Sequence, residues 1–166
     1  MTGYFDKRYV GGLDIAGSLL DAGLRAEAVI SFDKDRFESN YYMFILGADY
    51  QFNDKLYALV EYQFNGKGTN CKYCYDLLAL LKGEVLNVGQ NYIAAMLSYL
   101  VHPLVNTNMT IIQNIADGSG LINAGAKYNP LENINVGLNF GIFYGSKYSE
   151  YSYYSNSIFL TVDYYF

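Results

Sequence analysis

The chain has 166 residues, room for one domain and little more. Only 16% of residues are charged, against roughly 25% in soluble domains, and 52% are hydrophobic, which excludes solvated disorder. A net charge of −5 leaves no electrostatic footprint for nucleic acid, and one His with two Cys is too few for a structural zinc site or a His-dependent triad, so neither an enzyme nor a cofactor is expected.

The N-terminal arm, Met1-Thr2-Gly3-Tyr4-Phe5-Asp6-Lys7-Arg8, has no basic n-region, apolar h-region or cleavage site. From residue 9 onward the chain alternates apolar and polar residues in segments of about ten, the length of a tilted membrane-spanning strand. The first segment, 9–19, sets Leu13 and Ile15 against Asp14, Ala16 and Ser18. The second, 23–33, sets Leu24, Ala26, Ala28, Ile30 and Phe32 against Arg25, Glu27, Val29 and Ser31. In 41–52 the apolar phase is Tyr42, Phe44, Leu46, Ala48, Tyr50 and Phe52, facing Met43, Ile45, Gly47, Asp49 and Gln51. In 56–65 it is Leu56, Ala58, Val60, Tyr62 and Phe64, facing Tyr57, Leu59, Glu61 and Gln63.

A long connection follows, 65–89. Within it Asp76-Leu77-Leu78-Ala79-Leu80-Leu81-Lys82-Gly83 predicts a short helix, with Asp76 as N-cap and Gly83 as its stop. This connection either folds over the polar face and narrows a lumen or caps neighbouring loops. Cys71-Lys72-Tyr73-Cys74 in the same connection has no second pair or nearby His. A local Cys71–Cys74 disulfide is the leading reading, with redox or metal roles as alternatives.

Inside the charge-free stretch 85–116 the apolar run Tyr92 to Val105 is too short for a spanning helix, contains Ser98 and is broken at His102-Pro103. The stretch predicts two strands near 91–101 and 107–116 whose faces the pattern does not assign. Segment 121–129 sets Ile122, Ala124, Ala126 and Tyr128 against Asn123, Gly125 and Lys127. Segment 134–145 sets Ile134, Val136, Leu138, Phe140 and Ile142 against Asn135, Gly137, Asn139 and Gly141. The last, 157–166, sets Ile158, Leu160, Val162, Tyr164 and Phe166 against Phe159, Thr161, Asp163 and Tyr165.

Charge placement decides the class. The charges inside these nine segments, with Asp33 counted in the 33–40 connection, are Asp14, Arg25, Glu27, Asp49, Glu61, Lys127 and Asp163, and all lie on the phase opposite the apolar one. A Lys or Arg facing lipid near the midplane costs about 2–4 kcal/mol, so a membrane wall excludes it. The polar phase is rich in Gly, Asn, Gln and Ser rather than in the Lys and Glu of soluble surfaces. Connections alternate short (20–23, 53–55, 102–106, 129–133) and long (33–40, 65–89, 146–156), except for the tight 117–120 turn, and both prolines fall in the short set. The fold class expected is all-β, an antiparallel up-and-down transmembrane β-barrel of about nine strands. Because such barrels have even strand numbers, the odd count reads as the C-terminal part of a larger one.

The end of the chain, Ser157-Ile158-Phe159-Leu160-Thr161-Val162-Asp163-Tyr164-Tyr165-Phe166, resembles the C-terminal signature of Gram-negative outer-membrane proteins. The wider chain, including Asp117-Gly118-Ser119-Gly120-Leu121 and the Tyr-rich approach to the last strand, is similar to the C-terminal half of porin-like barrels. That resemblance implies the bacterial outer membrane, contact with its lipid, and an assembly signal at Tyr164 and Phe166 for the barrel-assembly machinery. It implies a channel passing small hydrophilic solutes, and a homo-oligomer is one assembly it allows. Asp14, Arg25, Glu27, Asp49, Glu61, Lys127 and Asp163 then line the pore, five acidic against two basic, a mild bias toward cations. A small eight-stranded barrel with structural or adhesive loops is the alternative. A soluble barrel would instead enclose the Tyr and Phe face around an apolar ligand.

Overall fold

The computed structural model describes residues 2–5, 8–33, 40–82, 85 and 87–166. They form one antiparallel sheet in which every strand pairs with its sequence neighbour. In chain order the strands are β1 (Thr2–Phe5), β2 (Arg8–Leu19), β3 (Ala22–Asp33), β4 (Tyr41–Asn53) and β5 (Leu56–Asn65), then β6 (Asn91–His102), β7 (Val105–Asn114), β8 (Gly120–Leu131), β9 (Ile134–Tyr144) and β10 (Ser157–Tyr164). Nine of these run 8 to 13 residues and follow the alternating segments closely. The tenth, β1, was hidden in the N-terminal arm because four residues are too few to display a period. Helix is confined to α1 (Leu77–Leu81) and a 3-10 turn at Glu150–Tyr153. Among the described residues no helix is long and apolar enough to cross a membrane.

Each antiparallel pair places partnered residues on one face of the sheet, and the register joins the apolar phases across all ten strands. One row runs Leu13, Ala28, Phe44, Phe64, and another runs Met109, Ala124, Phe140, Ile158. The opposite face collects the charges. Asp14 lies against Glu27, Arg25 against Gly47 and then Glu61, and Lys127 against Gly137 and then Thr161. Arg8 and Asp33, at the ends of their strands, join that face as a 3.5 Å ion pair. Strands β6 and β7, unassigned from the pattern, are oriented by their partners: Ile93, Ala95, Leu97 and Tyr99 share the apolar face, and Tyr92, Ala94, Met96 and Ser98 the polar one.

The apolar face is uncovered. Leu160 and Val162 keep 70% and 65% of their surface exposed, and among the described residues only Val88 and Tyr92 are buried hydrophobics. Along β6 exposure alternates residue by residue, with the apolar phase outward. Aromatic rings bracket this face in two bands. Near the long connections Tyr42, Phe44, Tyr62 and Phe64 pack at 5.1–5.9 Å, and near the short turns Tyr50 meets Phe52 at 4.9 Å, with Leu46, Ala48 and Val60 between the bands. Twelve residues at ~3.3 Å each make about 40 Å of strand, enough at ~40° tilt to span a hydrocarbon layer of ~30 Å.

The strands turn tightly at one end, at 20–21, 54–55, 103–104 and 132–133, with long connections at the other. Leu20 and Asp21 both take positive φ (51° and 65°), as a two-residue hairpin matched to strand twist requires. Two corrections arise here. Pro130 lies inside β8, not in the turn, at a register shift between Tyr128 and Leu131 where no ladder N–H is needed.

The second concerns the strand count: β1 makes ten, so the odd number that pointed to a part of a larger barrel does not hold, and the described ladders form an open sheet. β1 pairs only with Arg8 to Gly11, so among the described residues β1, 12–19 of β2 and all of β10 present open edges. β2 and β10 run from the long connections toward the short turns, and β1, antiparallel to β2, runs the other way.

Candidate functional site: the polar face and its end cap

The seven charged residues expected to line a pore share one face but form two groups. Asp14, Arg25, Glu27, Asp49 and Glu61 occupy β2 to β5, where Arg25 binds Asp49 at 2.9 Å. Gly47 makes room for this pair. A Cβ there would come within 2.9 Å of the Arg25 chain and 3.2 Å of Glu61. Asp14 and Glu27, directly opposite in the ladder, are like charges, an unfavourable pairing for a packed interior and tolerable only where water reaches. Lys127 and Asp163 stand apart on β8 and β10, lining a hollow with Asn108, Asn139 and Thr161, and no ion pair joins them among the described residues. The field is thus acidic on one half of the wall and amide-lined on the other.

The long connections meet over the upper end of β5 to β9. Asn65, at the end of β5, donates to the carbonyls of Asn87 and Gly89, and Gln63 accepts from the Asn87 amide, so 87–90 rides on the polar face. The Tyr-rich connection 145–156 folds inward onto the same place. Its Glu150, 3% exposed, accepts the Val88 N–H at 3.0 Å, the Tyr92 hydroxyl at 2.6–2.8 Å and the Asn114 amide at 2.8 Å. Asp117, from the turn after β7, accepts the Glu150 N–H, the Tyr75 hydroxyl and both the N–H and hydroxyl of Ser119. Gly89 is enclosed here, and a methyl on it would collide with Asn114 and the Tyr92 hydroxyl.

Sequence reasoning missed this cluster. It read 146–156 as an outer loop, although Glu150 is the sole acidic residue in that Tyr- and Ser-rich stretch. The helix in the long connection stands where Asp76 predicts it, the Asp76 carboxylate capping the Ala79 N–H at 3.0 Å, while the Gly83 stop lies outside the described residues. Leu77 and Leu80 of α1 face Tyr153 and Tyr154 across an apolar pocket, so the helix packs on a neighbouring connection. The sulfurs of Cys71 and Cys74 are bonded across a tight turn, next to Lys72, which donates to Ser146. Tyr164 pairs with Ile134 at the short-turn rim, and Phe166 projects fully exposed beside it.

Burial pushes the Asp117 carboxyl up, but the hydrogen bonds from Ser119, from the Glu150 amide and from Tyr75 outweigh it and hold the group below its ordinary value. Burial, then the bond to Asp117, pushes the Tyr75 hydroxyl up, so it remains a donor. A depressed carboxyl contributes stability that is complete above its unfolded value, near 3.8, and lost as pH falls through the folded one. Protection of the Ser119 and Glu150 amides from hydrogen exchange should therefore be constant at neutral pH and collapse in acid below that value. In D117A it should be low at every pH.

Compared with known proteins, the chain matches no family model, and no curated protein or solved structure is significantly similar to it.

Proposed function

We propose that this chain forms part of the wall of a porin-like channel in a bacterial outer membrane, passing small hydrophilic solutes by diffusion. One observation carries the reading. Ten strands put every apolar phase on one uncovered face, and every charge of the described strands lies on the other. In water such an uncovered face would drive association, whereas in a bilayer it is the face that meets lipid. The paired aromatic bands match the two interfaces of such a layer. Open edges in hydrocarbon leave backbone groups unsatisfied, so the channel also needs strands that pair with β10 and with 12–19 of β2. In this proposal Tyr164 and Phe166 present the assembly signal to the barrel-assembly machinery.

With Arg25 neutralised by Asp49, the wall retains Asp14, Glu27, Glu61 and Asp163 against Lys127. Reconstituted in planar bilayers, the protein should give discrete conductance steps. Its reversal potential in a potassium chloride gradient should take the cation sign, with about twofold preference. Anion preference would remove the pore-lining assignment. A second reading is favoured by the end cap, in which three connections knit over β5 to β9 and carry exposed Tyr73, Tyr148, Tyr153 and Tyr154. A wall so capped suits a structural or adhesive role, and folded protein in bilayers that conducts nothing would select it.

A further inference from the structure

We propose that Glu150 is a positioning residue that fastens 87–90 to the polar face of the wall and thereby sets the bore at the end carrying the long connections. The inference rests on the channel reading above for its functional half only. Three elements converge on this one carboxylate: the end of the 66–90 connection through the Val88 N–H, β6 through the Tyr92 hydroxyl, and β7 through the Asn114 amide. Every one of these donors is neutral, and no salt bridge to Glu150 exists among the described residues. A carboxylate 3% exposed, held by neutral donors alone, is satisfied only while those donors stay aimed at it. The arrangement therefore closes as a unit and opens as one.

Tyr92 makes the coupling two-sided. Its hydroxyl donates to Glu150 and accepts the Gly89 N–H, so the wall grips the residues on both sides of the Val88–Gly89 peptide. The 145–156 connection supplies the carboxylate from the far side of the wall, and the Glu150 N–H on Asp117 Oδ2 anchors that connection in turn. Tyr75, on Asp117 and Asn114, ties the part of the long connection before α1 to the same point. Released from Glu150, the long connection would keep its Asn65 and Tyr75 contacts but lose the carboxylate that holds the Val88 N–H.

The test uses the full chain in lipid vesicles and bilayers, with wild type, E150A, E150Q and Y92F. Trypsin cleavage after Lys72 should run about tenfold faster in E150A, since cleavage tracks the open population, while the strands stay protected. Y92F should fall between E150A and wild type. E150Q, which fills the same space and keeps an oxygen for the Val88 amide but sets an NH2 against the Asn114 amide, should cleave at an intermediate rate, whereas a role in packing alone would leave it at the wild-type rate. Single-channel steps should be larger in E150A than in wild type. Unchanged cleavage in both E150A and Y92F overturns the inference, as does a released connection whose conductance step is unaltered. If E150A does not fold, Y92F decides. A wild type that folds but does not conduct refutes the channel reading instead, and the cleavage rates still judge the fastening.

Discussion

Replacing Leu138 by Arg should destabilise the folded protein by about 2–4 kcal/mol in a bilayer, whereas Arg at the next residue, Asn139, should cost under about 1 kcal/mol. Leu138 sits near the middle of β9 with Ala126 and Leu160 beside it, all on the uncovered apolar face. A guanidinium there cannot reach either rim without dragging water into hydrocarbon. Asn139 points the other way, toward Asn108, Lys127 and Asp163, where a charge stays hydrated. Equilibrium urea titration in phosphatidylcholine vesicles measures both, followed by tyrosine fluorescence because the chain has 19 Tyr and no Trp. Equal, small effects at both sites would mean that the apolar face looks into water, and the membrane reading would fall.

The second large effect is expected at Asn114, which is fully buried at the end of β7. Its amide donates to Glu150 at 2.8 Å and to the Tyr75 hydroxyl at 3.0 Å, and its oxygen accepts the Ala116 N–H at 3.0 Å. Asn114→Ala strips one donor from a buried carboxylate and leaves the Ala116 amide without its acceptor. Hydrogen bonds to charged groups are worth about 1.5–3 kcal/mol, so a loss of about 2 kcal/mol is expected, the exposed Ala116 amide being free to turn to water. Asn114→Asp should be worse at neutral pH, because it sets a second carboxylate against Glu150 in place of a donor. The same titration reads both variants. Loss below about 0.5 kcal/mol for Asn114→Ala would mean that water replaces the amide and the cluster is not closed.

Much of the fold was legible because a strand writes its faces into the chain with period two. Leu24 to Phe32, Tyr42 to Phe52 and Ile134 to Ile142 alternate cleanly, and their strands fall within two residues of the pattern. Strands β6 and β7 hid their faces, since Ala94, Ala95, Met96 and Leu97 run apolar on both phases; only pairing with β5 and β8 settles which side they show. β1 was invisible for want of length. Of the candidate site, the seven wall charges were legible from phase alone. Their division into an acidic half and an amide-lined half was not, because it depends on which strands lie side by side.

The sequence by itself determined the alternation, the tight turns and the separation of charged from apolar faces, since these are properties of neighbouring residues along one pleat. Only the tertiary structure decided that the apolar faces of ten strands merge into a single uncovered surface, that the described sheet stays open between β1 and β10, and that Glu150 reaches Val88 and Tyr92. Those outcomes join residues up to 62 positions apart, through hydrogen bonds whose partners no local period can specify.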